Sequence, residues 1–405
     1  MAIEIEWLSG RGVAAPKGFR VGAARAGIKT QGLDVALLLA DEGATCAAVF
    51  TTSQVKAAPV LVSAEHLSAG HARAVVVNAG NANCCTGEAG KQNARRMCEL
   101  AAQKIGLTAP EVLVCSTGII GHPLPMDKIE NALAALELNA SDEEAARAFM
   151  TTDLVPKFIA ARAEIGGQTV TVGGQCKGVG MIGPNMAPLS VPHATMLAFL
   201  TTDARVEAPR LQALLERAVA RSFNSVTVDG DMSTNDTAIL LASGASQVEI
   251  SDDNEGQFLD LLGAVCRELA KKIARDGEGA TRLVQIEVAG TATEADARTI
   301  ALSIANSPLV KTAIFGRDPN WGRIAMAAGK AGVAFDAAKL SFSLGEVPLF
   351  ENGEPLPFDL ATAERQLANE NVFIRLQLGE GDADWTAWTC DFSYEYVKIN
   401  AEYHT

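Results

Sequence analysis

A threonine at position 195 stands where a hydroxyl group could act as a nucleophile. Thr195 follows Ala194 and the stretch KGVGMIGPNMAPLSVPHA, which is rich in glycine and proline, and it opens the apolar run 196–200. A threonine hydroxyl needs a neighbouring base, and the α-amine freed by cleaving the bond before the threonine supplies one. The pKa of such an amine is about 8, so it can accept the hydroxyl proton at neutral pH. The same pattern is typical of a threonine that merely begins a buried strand or helix, and both interpretations stay open.

Two further segments carry groups that suit acyl chemistry. The segment CSTGIIG ends a hydrophobic run at Thr117 and Gly118, where a hydroxyl and backbone N–H groups could converge on a developing oxyanion. An ordinary turn at the end of a strand gives the same pattern. Glu278 stands between two glycines in DGEGATR, so its carboxylate could face a cationic or hydroxylated ligand, or could simply be exposed.

Other motifs favour structural interpretations. The segment GGQCKGVGMIG lacks the spacing of a phosphate-binding loop and is typical of a tight turn that exposes its backbone. The segment DGDMSTND gathers three aspartates but misses the pattern of a calcium loop. Eight cysteines without paired CxxC spacing and five scattered histidines predict reduced thiols and no metal site.

The composition narrows the classes of partner. A formal net charge of −14 and the lack of clustered Lys and Arg argue against nucleic acid, so small molecules are the expected partners. The first residues, MAIEIEWLSGRG, do not resemble a secretory signal, and no run reaches the roughly 18 to 20 apolar residues of a membrane helix. We therefore expect a cytoplasmic protein that does not bind a membrane.

Hydrophobic periodicity predicts an α/β protein of two domains. Strand-like runs end in turns rich in Gly, Asn or Ser, and helical periods cover 208–222 and 258–273. From residue 283 the pattern changes: apolar and polar residues alternate as in strands at 283–288 and 372–378, and a proline-rich loop is expected at 348–358. The sequence thus predicts a catalytic domain over residues 1–282 and a smaller α+β domain over residues 283–405.

Taken together and in order, these segments resemble the family of ornithine acetyltransferase, the bifunctional arginine-biosynthesis glutamate N-acetyltransferase. The resemblance runs nearly end to end and is carried by the blocks AAVFTTSQVKAAPV, VVVNAGNANCCTGEAG, STGIIGHPLPMDKI, FMTTDLVPK, KGVGMIGPNMA, ATMLAFLTTDA, FNSVTVDGDMSTNDT, IARDGEGATR, SPLVKTAIFGRDPNWGRI and CDFSYEYVKINAEYHT.

The resemblance implies an N-terminal-nucleophile-like fold that cuts itself between Ala194 and Thr195. The products would be an α chain of residues 1–194 and a β chain of residues 195–405, assembled as an α2β2 heterotetramer. Similar proteins move an acetyl group from N-acetylornithine to glutamate through an acetyl-threonine enzyme. They hold no bound cofactor, and bifunctional members also use acetyl-CoA as a co-substrate.

The resemblance also assigns roles to individual residues. Thr195 would be the nucleophile, and Thr117 with Gly118 would form the oxyanion hole. The substrate-binding residues would be Thr151, Lys177, Thr195, Glu278, Asn400 and Thr405. Lys177 suits a substrate carboxylate and Glu278 suits a substrate amino group.

One departure from the family pattern keeps alternatives open. The family places the cleaved Ala-Thr bond directly after Asn-Met, whereas here the seven residues PLSVPHA, 188–194, stand inserted before Thr195. Their two prolines stiffen the chain where cleavage would occur. The alternatives are a self-processing aminopeptidase or amidase of related fold, and an uncleaved, inactive amino-acid-binding homologue.

Overall fold

A computed structural model describes residues 3–188 and 196–402, which divide into two compact units. The first unit comprises residues 3–188, 196–224 and 231–269, and the second comprises residues 225–230 and 270–402. The domain boundary predicted at residue 282 stays a prediction. Within the described ranges, none of the helices is both long and apolar enough to cross a membrane.

The first unit contains ten strands and the helices that cover them. The strands are β1 (Glu6–Leu8), β2 (Phe19–Ala24), β3 (Val35–Ala40), β4 (Thr45–Phe50), β5 (Ala74–Asn81), β6 (Val112–Ile119), β7 (Lys157–Ile165), β8 (Gln168–Lys177), β9 (Leu197–Thr202) and β10 (Thr237–Ala242). The helices are α1 (Ala58–His66), α2 (Gly87–Ile105), α3 (Met126–Ala135), α4 (Asp142–Ala148), α5 (Ala208–Ala220) and α6 (Glu255–Arg275), the last of which ends in the second unit.

These strands form two sheets. Six strands make one sheet in the order β1-β7-β8-β9-β10-β4, and four make the other in the order β2-β3-β5-β6. Strand β9 runs antiparallel to β8 and parallel to β10, so Leu197 pairs with Lys177 on one side and with Thr237 on the other. Every residue of β9 is buried, which explains why its sequence, LAFLTT, shows no alternation of apolar and polar residues.

The core of the first unit follows from the two-residue period of its strands. On β3, Leu38 faces a cluster that includes Phe199 and Ile239 of the six-stranded sheet, while its neighbour Leu37 faces a second cluster that includes Met97 of α2. The outer face of the six-stranded sheet is covered by α5 and by α6. The order of layers is therefore helix, sheet, sheet, helix.

The second unit is a six-stranded sheet with helices. The strands are β11 (Leu283–Thr291), β12 (Ser341–Leu344), β13 (Val347–Glu351), β14 (Glu354–Pro355), β15 (Asn371–Gln377) and β16 (Ala383–Cys390), in the spatial order β14-β13-β12-β15-β11-β16. The helices are α7 (Glu294–Ala305), α8 (Pro308–Gly316), α9 (Trp321–Gly329), α10 (Leu360–Ala368) and α11 (Tyr394–Glu402).

The sequence predicted several of these elements and was wrong about one segment. The helical periods at 208–222 and 258–273 are α5 and α6, and β11 buries every second residue as its alternation predicts. The proline-rich loop expected at 348–358 is wrong, because β13 and β14 pair there. The two prolines that lie within these strands are tolerated for a structural reason: Pro355 lies on an edge strand, and Pro348 lies beside a shift in register between β12 and β13.

Candidate active site

Thr117 and Gly118 lie at the end of β6, beside the end of the parallel strand β5. Gly118 pairs with Gly80 and has a φ of +129°. A Cβ atom at Gly118 would lie 2.4 Å from the carbonyl carbon of Gly80 and 2.5 Å from the backbone nitrogen of Asn81. Only glycine fits this close approach between two backbones. The predicted oxyanion pair is therefore held at a fixed, crowded strand end.

Lys177 reaches this strand end from the other sheet. Its Nζ donates a hydrogen bond to Thr117 Oγ1 at 3.3 Å, and the two residues are 4% and 1% exposed. Lys177 is the last residue of β8, and it pairs with Leu197, the first residue of β9. The structure thus joins two predicted site residues that are 60 positions apart in the sequence.

Asp153 connects Thr151 to the same region and was missed from the sequence. Its carboxylate accepts hydrogen bonds from the backbone N–H groups of Thr151 at 3.1 Å and of Gly178 at 2.9 Å. It also pairs with the Lys157 ammonium at 2.7 Å, and both side chains are buried. The sequence does show an acidic and a basic residue four positions apart in TTDLVPK, but this spacing does not indicate that the two side chains are buried.

The electrostatics of Asp153 are set by its two neighbouring lysines. Burial by itself raises the pKa of this carboxyl group, but the charges of Lys157 and Lys177 and the hydrogen bond from Gly178 outweigh burial and lower the pKa to about 2. Asp153 is therefore a carboxylate at neutral pH. It balances part of the positive charge gathered beside Thr117.

Lys29 adds a further cation to this cluster. Its Nζ donates to the carbonyl oxygen of Met150 at 3.0 Å, and the side chain is half-buried. Burial lowers its pKa, the carboxylates of Asp34 and Asp153 raise it, and the charge of Lys177 lowers it. The cluster formed by Lys29, Lys157 and Lys177 suits the carboxylate of an amino-acid substrate.

The segment DGDMSTND is fastened to the same strand ends. Asn235 Nδ2 donates to the carbonyl oxygens of Ala82 at 2.7 Å and Ser116 at 2.8 Å, which tethers the loop before β10 to the ends of β5 and β6. The next residue, Asp236, is fully buried, and neither of its carboxyl oxygens has a hydrogen-bond partner in the described part of the chain. Burial raises the pKa of Asp236 well above its ordinary value, although the charge of Lys177 opposes this.

In the second unit, the structure brings Glu278 and Asn400 together. Asn400 Nδ2 donates to Glu278 Oε2 at 2.9 Å, and Asn400 is exposed on α11. The Glu278 turn is close to this helix, because a Cβ atom at Gly279 would lie 2.5 Å from the backbone nitrogen of Tyr396. Ser393 Oγ also donates to the Gly279 carbonyl at 2.6 Å. Two segments more than a hundred residues apart thus form one local structure.

The remaining predicted site residues, Ala194, Thr195 and Thr405, lie outside the described residues. Of the seven-residue insertion, only Pro188 is described. The chain on either side of this segment is well anchored. The carbonyl oxygen of Ala187 accepts from the Phe50 N–H at 3.0 Å, and that of Met196 accepts from the Thr237 N–H at 2.7 Å.

The predicted oxyanion pair at a strand end, with a buried lysine beside it, suits the chemistry of an acyltransferase. Comparisons with known proteins agree. The ArgJ family matches residues 20–405. The arginine biosynthesis bifunctional protein ArgJ of Gloeobacter violaceus is 48% identical over 412 residues, which cover 99% of this chain and 100% of that protein. Its counterpart in Symbiobacterium thermophilum is 47% identical over 410 residues, with the same coverage of both chains.

A crystal structure is also similar. The arginine biosynthesis bifunctional protein argJ from Bacillus halodurans is 40% identical with a TM-score of 0.51, and the match covers 52% of this chain and 100% of that one. The chain belongs to the ArgJ family. This confirms the resemblance seen in the sequence, and it confirms the α/β, N-terminal-nucleophile-like fold class with a smaller C-terminal α+β part.

Proposed function

We propose that this protein is a glutamate N-acetyltransferase of arginine biosynthesis, which moves an acetyl group from N-acetylornithine to glutamate through an acetyl-Thr195 enzyme. Membership of the ArgJ family, at 48% identity over the full length of a relative, carries the enzyme class. The observation that carries the chemistry is the 3.3 Å hydrogen bond from Lys177 to Thr117, beside Gly118. This hydrogen bond places the hydroxyl group of Thr117, a possible donor, beside the buried positive charge of Lys177.

The oxyanion hole gains strength from this hydrogen bond. Because the Thr117 hydroxyl oxygen accepts from the Lys177 ammonium, its own proton is left to point at another acceptor. A hydroxyl that accepts from a cation is also a stronger donor, since hydrogen bonds in a chain polarise one another. Thr117 Oγ–H and Gly118 N–H would then stabilise the negative oxygen of a tetrahedral intermediate.

The transfer requires two half-reactions. In the first, the Thr195 hydroxyl gives its proton to its own α-amine and its oxygen attacks the acetyl carbonyl; the amide bond breaks, and the leaving ornithine nitrogen takes that proton. In the second, the neutral glutamate amine attacks the acetyl ester and gives up a proton to the Thr195 α-amine; the ester bond breaks, and Thr195 Oγ takes that proton back from the α-amine. No metal or cofactor enters either step, because the threonine itself carries the acetyl group.

We assign substrate contacts by residue type. Lys177 would pair with a substrate carboxylate and Thr151 would lie beside it, since both adjoin Asp153 through the contacts of that carboxylate. The Glu278 carboxylate, held by Asn400, would accept from a substrate amine. Thr405 would complete the pocket, as the resemblance implies. Acetyl-CoA would serve as a second acetyl donor.

Self-cleavage between Ala194 and Thr195 is part of this proposal. It is supported by the relative from Bacillus halodurans, whose whole crystallised chain corresponds to 52% of this chain. A cut before Thr195 would leave a β chain of 211 of the 405 residues, which is the same share. We also propose assembly into an α2β2 heterotetramer and a location in the cytoplasm, where arginine biosynthesis would supply the substrates.

Mass spectrometry of the purified protein tests the proposal together with an exchange assay. We expect two chains, one of which begins at Thr195, and transfer of labelled acetyl from N-acetylornithine to glutamate. The variant Thr195→Ala should remain a single chain and lose transfer. Transfer at the parent rate by Thr195→Ala would contradict the mechanism. A single uncleaved chain without transfer would favour the inactive homologue, and hydrolysis of amino-acid amides instead of transfer would favour the amidase.

A further inference from the structure

Lys177 and Asp236 lie on opposite sides of the beginning of β9. Lys177 ends β8 and Asp236 directly precedes β10, and the first residue of β9, Leu197, pairs with both Lys177 and Thr237. Strands two apart in a sheet are about 10 Å from each other, a separation at which one charge still affects another inside a protein. The charge of Lys177 does influence Asp236.

The environment of Asp236 is unusual for a carboxyl group. It is 0% exposed, and neither Oδ1 nor Oδ2 finds a hydrogen-bond donor within residues 3–188 and 196–402. Its backbone, by contrast, is well held, since the carbonyl oxygen accepts from the Thr51 N–H at 2.7 Å. Buried polar groups without partners lower stability and are rare in folded proteins, so they call for a functional explanation.

We propose that Asp236 is a positioning residue of the acetyl-transfer site, a buried carboxyl group that remains protonated and so leaves the charge of Lys177 directed at the substrate carboxylate. This inference rests on the proposed function, in which Lys177 binds that carboxylate. A neutral Asp236 fills the space beside β9 without attracting the ammonium group. An ionised Asp236 would compete with the substrate for it.

Among the described residues, the charge that acts on Asp236 is that of Lys177. The start of β9 and the end of β4, which contact its backbone and that of Thr237, carry only uncharged side chains. Lys177 lies on β8, and Asp153 and Lys29 in turn interact with Lys177. Cys115 on β6 interacts with Thr237 and Cys84 after β5 interacts with Thr234, both close to Asp236 in the sequence. Burial raises the thiol pKa of Cys115 to about 12 and also raises that of Cys84, so neither adds a charge near neutral pH.

The first experiment measures how glutamate binding depends on pH. The dissociation constant is determined by calorimetry between pH 7 and pH 10 for the parent protein and for Asp236→Asn, which keeps the shape of the side chain but cannot ionise. As Asp236 ionises, the glutamate affinity of the parent should fall on the order of tenfold further than that of the variant. This is the effect expected when one new negative charge appears about 10 Å from Lys177 in a protein environment. Titration of glutamate itself affects both proteins equally.

Asp203→Asn is the matched control. Asp203 is a second buried aspartate, placed just beyond the far end of β9, and its pKa is also raised by burial although the backbone N–H groups of Thr171 and Lys17 lower it. Because it lies at the opposite end of the strand from Lys177, Asp203→Asn should follow the parent's pH dependence of binding. If Asp236→Asn follows the parent as well, the inference is wrong.

Thermal unfolding tests the protonation of Asp236 without reference to substrate. A carboxyl group with a raised pKa in the folded chain contributes stability that is present at acidic pH and is lost as the pH rises toward that raised pKa. The Tm of Asp236→Asn relative to the parent should therefore increase from pH 4 to pH 8. A constant difference would show that Asp236 is not protonated in the folded chain and would overturn the inference.

The outcomes separate this inference from the proposed function. If the parent transfers acetyl and binds glutamate but Asp236→Asn shows the parent's pH dependence, only the role of Asp236 fails. If the parent neither binds glutamate nor transfers acetyl, the proposed function fails and the role of Asp236 fails with it. If Asp236→Asn no longer loses glutamate affinity as the pH rises, while Asp203→Asn loses it as the parent does, the proposed function and the role of Asp236 are both supported.

Discussion

Replacing Asp153 with asparagine should destabilise the protein strongly, although the two side chains have the same shape. Asp153 is fully buried between Lys157 and Lys177, and it accepts hydrogen bonds from two backbone N–H groups. Asparagine can still accept those bonds, but it carries no charge. Lys157, which is 1% exposed, would then lose the carboxylate that pairs with it at 2.7 Å.

Two estimates bound the size of the effect. The lowering of the Asp153 pKa from 3.8 to about 2 corresponds to about 2 kcal/mol of stability at neutral pH. That figure describes protonation of Asp153, whereas asparagine also turns an amide group toward a buried ammonium. Removing one partner of a buried ion pair typically costs about 3–5 kcal/mol. We expect about 3 kcal/mol, or a Tm lower by roughly 5 °C.

Urea unfolding at pH 7 and at pH 3, for the parent and Asp153→Asn, measures this cost and its pH dependence. A carboxyl group with a lowered pKa contributes stability that is complete above about pH 4 and is lost as the pH falls through about 2. The difference between the two proteins should therefore be smaller at pH 3 than at pH 7.

Glu143→Gln is the control, since Glu143 pairs with Arg147 at 2.7 Å with both side chains half exposed. That exposed pair should contribute less than about 1 kcal/mol. The double variant Asp153→Asn/Lys157→Met removes the buried charge left behind by the single change and should recover part of the loss. A cost for Asp153→Asn no greater than that of Glu143→Gln, or no recovery in the double variant, would refute the reasoning.

Three further changes test the site. Thr117→Ala should lower kcat about 100- to 1,000-fold with little change in Tm, as measured by acetyl exchange, and an undiminished kcat would exclude Thr117 from the oxyanion hole. Gly118→Ala forces a Cβ atom to 2.4 Å from the Gly80 backbone, so the Tm should fall by several degrees, and a parent-like melting curve would contradict that close approach. Asn400→Ala frees the Glu278 carboxylate from its 2.9 Å hydrogen bond, so KM should rise more than kcat falls in steady-state kinetics, whereas a change in kcat alone would argue against a binding role.

The sequence predicts the local elements of this fold better than the contacts between them. Thr117 and Gly118 could be placed at the end of a strand because a hydrophobic run stops there, and both α5 and α6 show a clear helical period. The hydrogen bond between Lys177 and Thr117 could not be predicted from spacing, since it depends on how two separate sheets pack.

Burial explains what the sequence did not reveal about the site. Asp153 and Asp236 stand in polar stretches, TTD and STND, which suggest exposed turns. Both are buried only because strands distant in the sequence close over them, and their opposite pKa shifts depend on whether hydrogen-bond donors and a lysine within salt-bridge distance are present. Residue type alone contains neither piece of information.

The position of β9 has a consequence for what a cut before Thr195 would do. Residues 172–177 of β8 pair with 197–202 of β9, and residues 45–50 of β4 pair with 237–242 of β10. Both product chains would therefore supply neighbouring strands of a single sheet, with β9 and β10 of one inserted between β8 and β4 of the other. The cut would break one peptide bond but leave the backbone hydrogen bonds between β8 and β9 and between β4 and β10 intact. The halves should separate only when the protein unfolds, so a native mass spectrum would show them together and a denaturing gel would show them apart.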